Sequence, residues 1–215
     1  MAGRSLGRGR RARRVGRRSV SEVDRAIETA LAALEAAADG WLDLPDRRRL
    51  REAFGPWTPP YTAGGPDAGL LRRAALLVAC AERALPVWEQ DFPDDRRPHE
   101  LVAAIMPALR GELPEERVDS AATTLREDVD RLAVQPEHVP AFFAGIAAVH
   151  LASEAWDGDL DPELDPPETR DGDLDEPVVE ALAARALAAG DPEGTRAYWR
   201  WYVTEAFPAA YAVTA

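Results

Sequence analysis

The carboxylates of this chain are concentrated in one acidic segment, residues 157–177, which carries ten of them and a single basic residue. Asp157, Asp159, Asp161 and Asp165 recur at the spacing of the oxygen ligands in a calcium-binding loop. The turn position of such a loop requires glycine, but a proline with a fixed φ stands there. We therefore interpret the segment as a solvated acidic loop suited to a basic partner, with calcium binding as the weaker alternative.

The histidines and the cysteine form no recognisable catalytic or metal-binding motif. His99, His138 and His150 are not at helical spacing from one another, and Cys80 is the only cysteine. A zinc site needs several such ligands together, and di-metal bundles use Glu-x-x-His pairs, which this sequence lacks. An enzyme built on carboxylate pairs is therefore disfavoured. We expect no catalytic centre, no cofactor and no metal, and we expect His150 to be a core residue beside apolar neighbours.

One charged turn has the composition of a recognition surface. Asp94, Asp95, Arg96 and Arg97 lie between two prolines and join two predicted helices. Helix capping is one interpretation, because Asp95 can accept hydrogen bonds from the free N–H groups at the start of the second helix. A charged patch that contacts a partner is the other. Both interpretations stay open, and all four residues are candidate partner contacts.

An aromatic run near the C-terminus, residues 198–202, is the other candidate contact surface. It reads Tyr-Trp-Arg-Trp-Tyr, and four aromatic side chains in five positions cannot all face one side of a helix. We expect some of them to be buried and others exposed. Docking of a C-terminal helix on the core is the simpler explanation. Trp199 and Trp201 are nevertheless candidate partner contacts, because tryptophan and arginine are enriched in binding hot spots.

Apolar residues that recur every three or four positions predict the elements that position these groups. No strand-like alternation occurs, so the sequence predicts an all-α fold, a single bundle of about seven helices. The predicted helices cover residues 20–39, 45–54, 70–91, 97–110, 115–133, 137–156, 177–189 and 192–206. The helix over 137–156 has the widest apolar stripe and is expected at the centre of the bundle. Pro86 and Pro107 are expected to kink the helices that contain them.

Charge divides the chain into a basic tail and an acidic body. Residues 1–18 carry eight arginines and no acid, which predicts a disordered tail, followed by a helical domain over 19–215. In that domain 18 arginines face 38 acidic residues, a net charge of −20. Such a body favours a basic partner and disfavours nucleic acid, except through residues 1–18. Within the domain, 19–69 forms N-terminal helices and a proline- and glycine-rich loop, and 70–215 forms the helical core.

The composition also indicates in which cellular compartment the protein is expected. All basic residues are arginine and alanine is abundant, which is typical of a GC-rich bacterial genome. The single cysteine excludes a disulfide framework, and the basic start is not followed by the apolar stretch of a secretion signal. No apolar run approaches the roughly 18 residues of a membrane span. We therefore expect a cytoplasmic protein that does not enter a membrane.

Around the charged turn the sequence resembles the fifth type of immunity protein from bacterial polymorphic toxin systems. The resemblance rests on CAERALPVWE at residues 80–89, FPDDRRP at residues 92–98 and the alanine-rich helix that follows. A later stretch, AAVHLA at residues 147–152, resembles a small-residue helix of that family. The specific match covers residues 79–113. Phe142 and Phe143 stand where the family has small residues, and residues 1–69 and the acidic loop lie outside the pattern.

The resemblance implies an all-helical, non-enzymatic protein that binds and neutralises a cognate toxin. The acidic body fits a basic toxin independently, because complementary charge accelerates association. The alternative is a non-enzymatic regulatory or scaffolding protein whose arginine-rich tail contacts nucleic acid or another anionic surface.

Overall fold

The computed structural model describes residues 20–56, 65–157, 177–189 and 192–214. Within these ranges the chain is helical and has no strand, which confirms the predicted all-α class. The helices are α1 (Val20–Ala36), α2 (Leu44–Glu52), α3 (Ala68–Asp91), α4 (Arg97–Leu109), α5 (Glu115–Leu132), α6 (Val139–Asp157), α7 (Pro177–Ala189), α8 (Pro192–Trp201) and α9 (Phe207–Tyr211). A 3-10 turn (Pro136–His138) precedes α6, and a π-helical turn (Tyr202–Ala206) joins α8 to α9. The predicted tail, residues 1–18, lies outside the described residues.

Helix α6 is the centre of the bundle, as its wide apolar stripe predicts. It packs against α3, α4, α5 and α7. Small residues permit this close packing: a Cβ atom added to Gly145 would lie 2.7 Å from Cγ2 of Val129 and 2.8 Å from Cζ3 of Trp88. Because protein interiors are close-packed, a residue without a side chain at this point lets α3 and α5 approach α6 together.

The apolar character of this central helix corrects one expectation from sequence. Pro136–Trp156 is long and apolar enough to cross a membrane by length and composition, with a mean hydropathy of 1.3. However, 61% of that stretch is buried inside the bundle. A core helix surrounded by other helices passes the same test, so the stretch is weak evidence for a membrane span.

The end of α1 contacts α8. The helix ends at Ala36, earlier than the predicted residue 39, and Gly40 follows with φ +71°. Arg196 of α8 donates hydrogen bonds to the carbonyl oxygens of Leu34 at 2.7 Å and Ala37 at 2.8 Å. A cation at the last carbonyls of a helix is favourable both as a donor and against the helix dipole. Helix α1 is therefore anchored on α8.

The two prolines predicted to kink helices lie within helices that continue beyond them. Pro86 lies inside α3, which extends to Asp91, and Pro107 lies inside α4, which extends to Leu109. The packing of α3 and α4 against the rest of the bundle sustains both helices after the proline.

Candidate partner-binding surface

The turn between α3 and α4 is held by the side chain of Asp95. Its Oδ1 accepts a hydrogen bond from the backbone N–H of Arg97 at 3.0 Å, the first residue of α4. Asp95 also accepts from the Arg97 guanidinium, at 2.9 Å from Nε and 2.6 Å from Nη2. From below, the buried indole of Trp88 donates to the Asp95 carbonyl oxygen at 3.2 Å. The capping interpretation of Asp95 is therefore confirmed.

Both arginines of the turn pair with carboxylates of this chain. Arg97 also donates from Nη1 to Asp128 of α5 at 2.6 Å, and it remains 43% exposed. Arg96 donates to Glu89 of α3 at 2.7 Å, and the same carboxylate lies 2.9 Å from Nε2 of His99. The charges predicted for a partner are thus largely compensated within the protein.

The electrostatics of the turn follow from this network. The hydrogen bond from Arg97 lowers the pKa of Asp95, and it also lowers the pKa of Asp128. In return, the hydrogen bonds to Asp95 and Asp128 raise the pKa of Arg97 above its ordinary value. Of the four predicted contact residues, Asp94, Arg96 and Arg97 are exposed, and Asp94 and Arg96 take no part in the pairs that join Asp95, Arg97 and Asp128.

The two candidate tryptophans lie in different environments. Trp199 is fully buried, its ring edge-on to Trp41 at 5.6 Å between centroids, and the Arg47 guanidinium carbon lies 5.2 Å from its ring centroid. It therefore belongs to the core and offers no surface to a partner. Trp201 is only partly buried, and its ring lies 5.4 Å from that of Tyr198. A helical turn of 3.6 residues explains why neighbours in sequence differ in this way.

A second cluster of charge and aromatic surface lies where α3, α7 and α8 meet. The guanidinium carbon of Arg83 lies 4.2 Å from the ring centroid of Trp201. Arg185 of α7 donates from Nη1 to the carbonyl oxygen of Arg83 at 3.1 Å. Burial and the charge of Arg185 lower the pKa of Arg83. Beneath the cluster, Tyr198 donates to the Val178 carbonyl oxygen at 2.9 Å, and burial raises its pKa.

Each of the three histidines lies beside a carboxylate of another helix. His150 lies 2.8 Å from a carboxylate oxygen of the buried Glu180, and His138 lies 2.8 Å from Asp91. In the part of the chain that the structure describes, no group of three metal-ligating side chains comes together. His150 is half-buried among core neighbours, as expected from its apolar surroundings.

The acidic segment lies almost entirely outside the described residues. Asp159, Asp161 and Asp165 belong to that part of the chain, and Asp157 is the last residue of α6. Both the steering role and the calcium alternative for this segment stay predictions.

The sequence interpretation missed several arginines that shape the fold and the surface. Arg73 is buried and donates to the carbonyl oxygens of Gly69 at 3.0 Å, Arg51 at 3.1 Å and Gly55 at 2.9 Å. It lies three residues after Leu70, on the apolar stripe of α3, and that spacing was a signal. No comparable signal marks Arg83 and Arg185, because they meet only through tertiary packing.

The described residues thus form a helical bundle in which charged side chains pair between neighbouring helices. The family model of Immunity protein Imm5 matches residues 27–209. Because this match covers most of the chain, the chain belongs to the Imm5 immunity protein family, and such proteins are generally non-enzymatic. The match confirms the resemblance over 79–113 and extends it to α1, α2 and the acidic segment, which had been left outside. No curated protein matches the chain.

Proposed function

We propose that this chain is a cytoplasmic bacterial immunity protein that binds a cognate toxin and neutralises it without catalysing a reaction. The observation that carries the proposal is the family match over residues 27–209. The described residues add a consistent feature, since their histidines, buried arginines and cysteine are used in packing and helix–helix contacts.

The charge of the body supports a basic toxin as the partner. After residue 18 the chain carries 18 arginines against 38 acidic residues, so a cationic protein would be attracted over long distances. Charged residues at the rim of an interface mainly set the association rate, and buried anchors set dissociation. We assign the steering role to the acidic segment, and contact roles to Asp94 and Arg96 at the α3–α4 turn and to Trp201. Arg97 acts through Asp95 by holding the turn.

The direct test is co-expression of the chain with toxin-like products of neighbouring reading frames. We expect one product that stops growth alone, and we expect the full chain to restore growth and to co-purify with that product. If every neighbouring product fails to bind and none is neutralised, the proposal is wrong, and a scaffolding role for the arginine-rich tail becomes the better hypothesis.

Steering can be tested separately by stopped-flow binding across a salt series. Replacing Asp157, Asp159, Asp161 and Asp165 by asparagine should slow association about ten-fold at low salt, with little effect on dissociation. The matched control removes the same number of charges from exposed positions of α5: Glu116, Asp119, Glu127 and Asp130. An equal effect in both variants would show that net charge, not the acidic segment, directs the encounter.

A further inference from the structure

Arg83 and Arg185 are neighbouring arginines that have no carboxylate partner in the part of the chain that the structure describes. Among the described residues, no carboxylate lies within ion-pair distance of Arg83 or Arg185. Glu205 contributes a favourable longer-range interaction with Arg83, but it forms no ion pair with it. Arg72 and Arg196 also donate to backbone carbonyls and have no carboxylate within ion-pair distance among the described residues. What distinguishes Arg83 and Arg185 is that two cations lie next to each other beside the Trp201 ring.

Arg72 in the same bundle shows how the hydrogen-bond donors of a ring-stacked guanidinium can be used within the chain. Arg72 also stacks on an aromatic ring, with its guanidinium carbon 4.5 Å from the ring centroid of Tyr211. Its Nε donates to the Val213 carbonyl oxygen and its Nη1 to the Phe54 carbonyl oxygen, both at 3.2 Å. Arg83 stacks equally closely, yet its guanidinium forms none of these bonds, and its Nε is buried without a hydrogen-bond partner.

The half-buried Arg83 can use the outer end of its guanidinium for a ligand. Nε is the only Arg83 nitrogen that is buried without a hydrogen-bond partner, so the two Nη groups are the donors that can reach a ligand beside the Trp201 ring. Arg185 approaches from α7 and adds a second positive charge beside it. Trp201 itself is packed against Tyr198, which fixes the orientation of the stack. This arrangement is preorganised for a planar anion.

We propose that Arg83, Arg185 and Trp201 form a site that binds a carboxylate of the cognate toxin and anchors the complex. This inference rests on the proposed function and names a contact surface for it. Arginine and tryptophan are the residue types that dominate binding energy at the centre of protein interfaces. A carboxylate accepts two parallel hydrogen bonds from a guanidinium and would neutralise the paired positive charges.

The occupant is an acidic group on a protein rather than a nucleic-acid phosphate. A polyanion would be repelled by the −20 net charge of residues 19–215. A single carboxylate on an otherwise basic toxin has no such penalty, because the remainder of its surface is attracted to the acidic body. The site therefore determines orientation, whereas the acidic surface determines the rate of encounter.

The first experiment titrates the full chain with acetate at constant ionic strength and follows the Trp201 indole and Arg83 Nε–H signals by NMR. We expect saturable binding in the millimolar range, about 1–10 mM, as for a weak single-contact ligand. Arg83→Gln should weaken it at least about ten-fold, Arg83→Lys should weaken it less, and both should keep the native circular dichroism. Arg126→Gln, at an exposed position of α5, should leave binding unchanged.

Inorganic phosphate is titrated in parallel to identify the anion class. Binding of phosphate without binding of acetate would overturn the inference in favour of a phosphate-bearing partner. The absence of saturable shifts with acetate, or equal shifts in native and Arg83→Gln chains, would also overturn it.

The second experiment measures binding kinetics to the neighbouring toxin product. The double variant Arg83→Gln with Arg185→Gln should raise the dissociation rate at least about ten-fold and leave the association rate nearly unchanged. Arg126→Gln should change neither rate. If the double variant binds like the native chain, this site is not the anchor and the proposed function still stands. If the native chain binds none of the products, the proposed function fails and the toxin as occupant fails with it.

Discussion

Two regions of the bundle each bring two arginines together where helices meet: the α3–α4 turn, residues 94–97, and the cluster of Arg83, Arg185 and Trp201. They differ in what the charges contact. At the turn, Arg96 and Arg97 are paired with carboxylates of α3, α5 and the turn itself. At the cluster, neither arginine has a carboxylate within ion-pair distance among the described residues. A high local charge density therefore does not identify a binding surface, because the protein can compensate that charge internally.

The comparison also separates structural from binding roles. Removing Asp95 or Arg97, which hold the turn, should affect stability more than partner affinity, because their contacts lie within the chain. Removing a residue of the cluster should affect partner affinity more than stability. Each of the following predictions tests one side of this difference.

The largest effect is expected for the two tryptophans of α8. Trp199→Ala should lower the free energy of unfolding by about 3–5 kcal/mol, because a fully buried indole leaves a cavity. Trp201→Ala should cost clearly less, since the side chain is only partly buried. Urea denaturation of the two variants measures both values. Equal losses would remove the distinction between a core and a surface tryptophan.

A smaller loss of stability is expected at Gly145 of α6, which packs against Trp88 beneath the α3–α4 turn. Gly145→Ala should destabilise the protein by about 1–3 kcal/mol, because its Cβ would lie 2.8 Å from Trp88 and 2.7 Å from Val129. Because the Trp88 indole donates a hydrogen bond to the Asp95 carbonyl oxygen, the NMR chemical shifts of residues 94–97 should also change in this variant, whereas those of Trp201 should not. Gly194→Ala is the control, because nothing lies within 4 Å of its added Cβ. A tolerated Gly145→Ala would show that α6 packs less tightly than the structure indicates.

The ion pairs of the turn should contribute modestly and in a pH-dependent way. Arg97→Ala should lower stability near neutral pH by up to about 1 kcal/mol, as for exposed pairs. Because Arg97 lowers the pKa of Asp95, this contribution is present above the ordinary value of 3.8 and is lost as pH falls through the folded-state value. The difference from the native chain should be constant between about pH 7 and 5 and should shrink below about pH 4. Urea denaturation across this pH range, with Arg126→Ala as the control, tests whether the stability difference shrinks as the pH falls.

The smallest stability effect is expected at the cluster. Arg83→Gln should change the free energy of unfolding by less than about 0.5 kcal/mol, because the lost stacking is offset by relief of repulsion from Arg185. Thermal melts of Arg83→Gln and Arg97→Ala in the same buffer make the comparison direct. A loss at Arg83 larger than that at Arg97 would show that the cluster is structural, and the difference between the two regions would disappear.

The sequence by itself determined the helices and their burial. Apolar spacing of three and four located α1 to α8 but not the short α9 (Phe207–Tyr211). The width of the stripe placed α6 at the centre, because both signals depend on the local geometry of one helix. The capping role of Asp95 was also readable, since it involves a residue two positions away. The charged turn and the helix around it were sufficient to indicate the immunity family, and the family match extends that indication over most of the chain.

Only the tertiary structure decided which charges are paired. Arg97 reaches Asp128 across 31 positions, His150 reaches Glu180 across 30, and Arg185 reaches the Arg83 backbone across 102. It also decided that Trp199 is core and Trp201 is surface, although both satisfy the same pattern. These outcomes depend on how helices cross and rotate against one another, which is set by the packing of the whole core and leaves no local period in the sequence.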